Sequence, residues 1–317
     1  MKIIVRMPNW LGDAVFNLPF LMKLSEKHEV TVVTKESLKE LYFKFNTITF
    51  RNKEELYKKH LKLRGKYDAY IVTPVSFSSA LAAYLARTRV RIGFSFDMRD
   101  SLLTKKIPIP KEWKQRHTTE TYALLYSEFF SPSEVEFYME IPKELCTKAT
   151  KILEEYNLNR KTFIAIAPFT QFGTAKEWGE ENYLNLVNLL SSIGIRTVIL
   201  GTKSEIQRAS YFKGNSIINL AGKTSLWDAA CIATHSLAFV GGDSGLTHLA
   251  ALCGARTIAI FGPTPVEWTK PIGKTVETLY TKLPCTPCEK RECPKGIKAC
   301  MNSVKPQEVF EIIRGPL

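Results

Sequence analysis

Gly241-Gly242-Asp243-Ser244-Gly245-Leu246-Thr247-His248 follows the strand-like run Leu237-Ala238-Phe239-Val240 and opens into a helix-like segment. A second turn of the same kind stands near the start of the chain. There Asn9-Trp10-Leu11-Gly12-Asp13 follows Ile3-Ile4-Val5 and also leads into a helix-like segment. A strand that turns tightly into a helix is the unit from which nucleotide-binding sheets are built. Two such units, far apart in sequence, predict two α/β halves with a site between them.

The pattern around each turn supports this. Apolar runs at residues 3–5, 30–34, 70–72 and 91–93 alternate with helical periodicity at 14–24, 38–45 and 77–86. A long helix is expected over 119–130, stopped by Pro132, and another over 144–156. The alternation restarts with strands at 163–167, 196–201, 217–219, 237–240 and 257–261. Helices at 180–193, 203–212, 225–234 and from 247 lie between them. Strands alternating with helices argue for parallel sheets covered on both faces. The polar break Asn157-Leu158-Asn159-Arg160 is the expected domain boundary, giving domains 1–158 and 159–304. Residues 305–317 form a closing helix with Pro306 in its first turn, a candidate to cross back onto the first domain.

The chain has 317 residues, enough for two cores. No apolar run approaches the roughly 18 residues needed to span a bilayer. Asn9, Gly12 and Asp13 interrupt any signal-peptide core, so a cytoplasmic protein is expected. Net charge is +13, and residues 51–116 carry 16 Lys and Arg against 6 Asp and Glu. Such a surplus points to an anionic partner: nucleic acid, an acidic membrane surface or a phosphorylated acceptor. Basic–aromatic interleaving and nucleic-acid-binding spacings are missing, which makes nucleic acid the weaker reading. Of seven cysteines, Cys146, Cys231 and Cys253 stand alone and read as buried apolar fillers. The other four form Cys285-x2-Cys288-x4-Cys293-x6-Cys300, suited to structural pairing or to a tetrahedral zinc site.

Residue chemistry at the turns favours a phosphorylated ligand. Gly241, Gly242 and Gly245 let the backbone approach a ligand, and a helix start presents unpaired N–H groups to phosphate. Ser244 and Thr247 add hydroxyls. The loop Pro168-Phe169-Thr170-Gln171-Phe172-Gly173-Thr174-Ala175-Lys176 leaves the first strand of the second half at its carboxyl end, where open α/β sheets bind ligands. Lys176 is a compact cation for a diphosphate. Asp13 has two readings, a helix cap or a general base on a hydroxyl.

Together these segments resemble the ADP-heptose–lipopolysaccharide heptosyltransferases, inverting enzymes of the GT-B architecture. The resemblance rests on residues 8–15, Lys176-Glu177-Trp178, Gly201-Thr202-Lys203-Ser204-Glu205, Asp243-Ser244-Gly245-Leu246-Thr247-His248-Leu249 and Phe261-Gly262-Pro263-Thr264. The first turn and the four-cysteine loop look more like the II branch than the I branch. The resemblance implies an α/β fold of two Rossmann-like domains facing a central cleft. The acceptor would bind in the first and the nucleotide sugar in the second. It makes Asp13 the catalytic base and Lys176 the diphosphate contact. Asp243, Ser244, Gly245, Leu246 and His248 become donor-binding, with Thr247 beside them. Glu205 matches a ribose-binding glutamate and Thr224 a residue near adenine. Thr170 is counted with the donor-binding residues, although it and Gln171 stand where many members have another sequence, which leaves their roles open.

The implied reaction is inverting transfer of L-glycero-D-manno-heptose from ADP-heptose to the lipopolysaccharide inner core, onto heptose or the Kdo of Kdo–lipid A. The implied location is cytoplasmic, peripheral to the inner membrane. Asn9, Trp10, Gly12, Arg64, Arg87, Arg89 and Lys105 are candidate acceptor contacts. The chain has no Asp-x-Asp pair, so neither a catalytic metal nor a cofactor beyond the donor is expected. Three rivals stand beside this: a GT-B transferase with another nucleotide sugar, a dinucleotide-dependent oxidoreductase, and a non-catalytic nucleotide- or zinc-binding module. The lack of Gly-x-Gly-x-x-Gly after either strand weighs against the oxidoreductase.

Overall fold

Residues such as Ile3-Ile4-Val5 and Phe163-Ile164-Ala165-Ile166-Ala167 are apolar on both sides of the strand, which a sheet covered on both faces requires. A computed structural model describes residues 1–315 and bears this out. The chain divides into two compact units, Met1–Glu136 and Phe137–Leu317.

The first unit holds strands β1 (Lys2–Arg6), β2 (Glu29–Lys35), β3 (Asn46–Phe50), β4 (Ala69–Val72), β5 (Val90–Phe94) and β6 (Lys105–Ile107). Their order is β3-β2-β1-β4-β5-β6, every neighbouring pair parallel. The second unit holds β7 (Phe163–Ala167), β8 (Arg196–Ile199), β9 (Ile217–Asn219), β10 (Ala238–Gly242), β11 (Thr257–Phe261) and β12 (Val276–Tyr280). Its order, β12-β11-β10-β7-β8-β9, is the same doubly wound arrangement. In each sheet the strand order reverses beside the first strand, between β1 and β4 and between β7 and β10.

Side chains alternate across each sheet. Ile164 and Ile166 join a core with Leu186 and Leu190 on helix Glu180–Ser192 and with Val309, Phe310 and Ile313 on helix Pro306–Arg314. Phe163, Ala165 and Ala167 face the other core, with Leu153, Ile232 and Ala233. The buried Trp178 closes the first of these, its indole N–H on the Val304 carbonyl at 2.9 Å.

Four expectations change here. The division falls at 136/137, ahead of the polar break at 157–160. Helix Lys143–Glu155 buries Ala149 and Leu153 against helix Leu226–His235, so the break is a turn inside the second unit. Cys146 and Cys231 are the ends of a disulfide joining those two helices, not separate fillers. The helix expected over 119–130 is confined to Thr118–Ala123, followed by turns. The closing helix Pro306–Arg314 packs on Glu180–Ser192 within the second unit. Among the described residues no helix is long and apolar enough to cross a membrane.

Candidate functional site

Parallel strands send all their outgoing loops to one edge, and that edge decides which sequence candidates meet. In the second unit four neighbouring strands, β10, β7, β8 and β9, deliver residues 243–247, 168–176, 200–205 and 220–225 side by side. Lys176 leaves β7 and Asp243 leaves β10, so the two meet where the strand order reverses. The Lys176 ammonium donates to Asp243 Oδ2, and His248 Nε2 lies 3.2 Å from Oδ1. Asp243 is 7% exposed. Burial opposes its charge, but the His248 hydrogen bond and the Lys176 charge outweigh that and hold the carboxyl far below the usual range. Gly242 is required here: a Cβ on it would sit 2.8 Å from the Lys176 carbonyl oxygen.

Ser244 caps helix Gly245–Leu252, accepting from the Thr247 amide. The fully buried Thr247 hydroxyl lies 3.0 Å from Ser244 Oγ and behind Gly241, so it braces the turn and is not presented to a ligand. Thr170 is similarly committed, its hydroxyl donating to the Gly173 carbonyl at 3.0 Å. Its amide donates to Glu177 Oε1, and Arg208 grips both oxygens of that buried carboxylate at 3.0 and 2.7 Å. Gln171 finds a role that its sequence position did not reveal. It donates to Glu205 Oε1 at 2.8 Å, while Glu205 Oε2 accepts from the Thr202 amide at 2.7 Å. The Gly222 amide donates to the Gly201 carbonyl, which brings the Thr224 turn against the Glu205 turn.

In the first unit Asp13 stands in the first turn of helix Leu11–Ser25, two residues inside its start. It is therefore not the cap; Trp10 holds that position and makes no side-chain capping hydrogen bond to the helix. The half-buried carboxylate accepts from the Tyr122 hydroxyl at 3.2 Å. Burial and the neighbouring Asp13 push Tyr122 well above its ordinary range, so it remains a donor. The buried Arg6 donates to Asn9 Oδ1 at 2.6 Å and to the Met7 carbonyl, fixing the turn. Burial pulls that guanidinium down to about 10. Tyr122 lies 109 residues from Asp13, and no local pattern announces the pair.

Arg64, Arg87, Arg89 and Lys105 are placed elsewhere. They lie in or beside the loops that enter β4, β5 and β6, on the edge opposite Asp13. The Gly65 amide donates to the Ala86 carbonyl and ties two of these loops together, and Lys105 pairs with Glu128. Asn9, Trp10 and Gly12 do lie at the Asp13 edge. Cys285, Cys288, Cys293 and Cys300 are all unbonded thiols, so the expected structural pairing is not formed among them. Among the described residues no three His, Cys, Asp or Glu side chains are placed to hold a metal ion. The loop braces the site by its backbone instead: the Arg291 carbonyl accepts from the Ala175 amide at 3.0 Å, next to Lys176.

Known proteins resemble this chain in sequence and fold. Residues 57–298 match the family model described as Glycosyltransferase family 9 (heptosyltransferase). Lipooligosaccharide heptosyltransferase 2 of Campylobacter jejuni subsp. jejuni is 28% identical over 336 residues, covering 99% of this chain and 98% of that protein. The solved structure of Escherichia coli ADP-heptose lps heptosyltransferase II superposes with a TM-score of 0.81 at 22% identity, covering 99% and 98% of the two chains. An Escherichia coli heptosyltransferase solved with ADP-2-deoxy-2-fluoro heptose gives 0.74 at 20% identity, with both chains fully covered. The architecture is GT-B, and the enzyme is a glycosyltransferase. Matched by the family model over most of its length, the chain belongs to glycosyltransferase family 9, the heptosyltransferases.

Proposed function

We propose that this enzyme transfers L-glycero-D-manno-heptose from ADP-heptose to a sugar hydroxyl of the lipopolysaccharide inner core, with inversion at the anomeric carbon. The observation that carries the reading is the Lys176–Asp243–His248 cluster at the strand-order reversal of the second sheet, with Asp13 at the corresponding edge of the first. An ammonium has three N–H donors, so holding Asp243 leaves Lys176 capacity for diphosphate oxygens. The start of helix Gly245–Leu252 adds backbone donors. Glu205 and the Thr224 turn sit two and three strands along from Asp243, where the nucleoside would extend.

Asp13 takes the proton of the acceptor hydroxyl as its oxygen attacks the anomeric carbon. The bond to the ADP oxygen breaks on the opposite face. Lys176 and the helix start take up the charge that develops on the diphosphate. Tyr122 orients the carboxylate by donating to Oδ1. The acceptor is a heptose or Kdo carried on lipid A, at the cytoplasmic face of the inner membrane.

The test begins with calorimetric binding of ADP, UDP, GDP and NAD, with and without chelator. ADP alone should bind, insensitive to chelator. Turnover of ADP-heptose on a Kdo–lipid A acceptor should then follow. Preference for UDP or GDP would assign another donor, and preference for NAD would overturn the transferase reading.

A further inference from the structure

The loop leaving β7 carries Lys176, the proposed diphosphate contact, and the segment leaving β8 carries Glu205, the proposed ribose contact. Two links join them. Gln171 donates to Glu205 Oε1 at 2.8 Å. The second link runs through Arg208, on the short helix Ile206–Ala209 that directly follows Glu205. Its guanidinium holds both oxygens of Glu177, the residue after Lys176. It also donates to Glu180 Oε1, from Nε at 3.0 Å and from Nη2 at 2.6 Å. Glu177 in turn closes the loop on itself. Its Oε1 accepts from the Thr170 amide at 3.1 Å, and its own amide donates to the Thr174 carbonyl at 3.1 Å. One carboxylate therefore fixes both ends of residues 170–176, and one guanidinium ties that carboxylate to the Glu205 segment.

The two links differ in what a ligand does to them. Gln171 uses a Glu205 oxygen that a ribose hydroxyl would also approach, so that link shares its acceptor with the ligand. The Arg208 link rests on Glu177, which is 2% exposed and out of a ligand's reach. The guanidinium lies 4.4 Å over the ring of Phe169, which is itself buried against the ring of Phe212. A planar fork that is bidentate to a carboxylate and stacked on an aromatic face has one orientation. A lysine there would keep the charge but not the fork. Stability alone does not explain the pair, since apolar residues of similar volume often match or exceed a buried ion pair. Placed between two ligand loops, it acts on their separation.

We infer that Arg208 is a positioning residue: it sets the distance between Lys176 and Glu205 and so allows a nucleoside diphosphate to be held at both ends at once. It touches neither end of the ligand and acts through Glu177 and Thr170. Two contacts at the right spacing make the second binding step intramolecular, and that advantage is lost when the spacing fails. The inference rests on the nucleotide-sugar reading of this site.

The test compares a linked ligand with its separate halves on the intact protein. Calorimetry gives the affinity for ADP, and ligand-observed NMR gives those for adenosine and for pyrophosphate. Arg208→Lys should weaken ADP roughly tenfold or more, a part of the on the order of 10²–10⁴ that linkage supplies. Adenosine and pyrophosphate should keep their wild-type affinities. Arg208→Met strands the buried Glu177 charge, so it is combined with Glu177→Gln, which removes the charge and keeps an Oε1 for the Thr170 amide. The double variant should melt near the wild-type temperature and still show the selective loss for ADP. Unchanged ADP affinity in Arg208→Lys overturns the inference. Recovery of ADP affinity in the double variant, or a loss that falls equally on ADP, adenosine and pyrophosphate, also overturns it and assigns Arg208 to folding alone. Wild-type protein that binds neither half overturns it too, because there are then no two contacts to space. A wild-type preference for UDP or GDP refutes the ADP reading alone, and the comparison is then made with that diphosphate, its nucleoside and pyrophosphate.

Discussion

The two sheets share one strand order but equip their outgoing edges differently. The second edge is densely wired: Lys176, Asp243 and His248 hold one another, Glu177 ties Thr170 to Arg208, and Glu205 ties Gln171 to Thr202. The first edge has Asp13 under a tyrosine, a turn pinned by Arg6, Asp100 accepting from Ser95 and the Phe96 amide, and exposed apolar side chains. A preorganised polar site suits a ligand of fixed structure that must be held while charge develops on it. A sparse edge suits an acceptor delivered by its surroundings. Divergent chemistry on a common scaffold follows from the loops, because central strands such as β4, β7 and β10 are buried along their whole length.

The sharpest break in this comparison is Asp13→Asn. An amide cannot take the acceptor proton, and general-base catalysis is worth roughly 10²–10⁴ in rate. Turnover should fall by that factor while calorimetric ADP affinity stays unchanged, since Asp13 belongs to the other unit. Loss of ADP affinity would instead couple the two edges. Lys176→Met comes next. It strands a buried carboxylate beside His248, and breaking a buried pair costs about 3–5 kcal/mol. Thermal stability should fall and ADP binding should weaken; Asp243→Asn placed on top should restore part of the stability but not the binding.

The units should also part company in acid. His60 is fully buried, its ring nitrogens facing the Leu56 carbonyl and the Tyr70 hydroxyl, and burial lowers it to about 4. Its neutral form is favoured in the folded state. The stability it confers is present above pH 6.5 and is lost as pH falls from there toward 4, on the order of 3 kcal/mol. Asp243 has the same sign but a lower window. Its contribution is present above the unfolded value of about 3.9 and declines only below it. Melting followed between pH 7 and pH 4 should therefore weaken the first unit before the second. His60→Gln should flatten that dependence; a slope unchanged in the variant would assign it to another group.

Legibility divides along the same line as the chemistry. The two strand–turn–helix units, Lys176, Asp243 and His248 could be read because glycine turns and strand ends are local signals. Three edge strands could not: β3, β6 and β12, because Asn46–Phe50, Lys105–Ile107 and Val276–Tyr280 mix polar and apolar residues with no apolar run. The basic stretch 51–116 could be counted but not placed. Whether a loop enters or leaves a strand decides its edge, and the count is blind to that. Pairings across long separations, Tyr122 with Asp13 and Cys146 with Cys231, have no sequence signature at all.

The smallest effect tests whether the wiring of the second edge extends to the cysteine loop. Gly173 has φ +151°, and a Cβ on it would lie 2.3 Å from the Arg291 carbonyl oxygen. That oxygen is the acceptor for the Ala175 amide, one residue before Lys176. Gly173→Ala must either push residue 291 away or twist the turn that aims Lys176. A strained backbone residue costs about 1–3 kcal/mol. The loss should show as a five- to hundredfold (roughly) weaker ADP affinity, with the melting temperature of the first unit unchanged. Gly179, also at positive φ but with nothing within 4 Å of its Cβ position, supplies the control: Gly179→Ala carries the conformational strain without the collision. Equal ADP affinities in the two variants would mean that strain alone sets the effect and that the cysteine loop does not buttress Lys176. A larger loss at Gly173 would make the Arg291 carbonyl part of the donor edge, a contribution from a loop whose four thiols drew attention in the sequence and whose backbone is what touches the site.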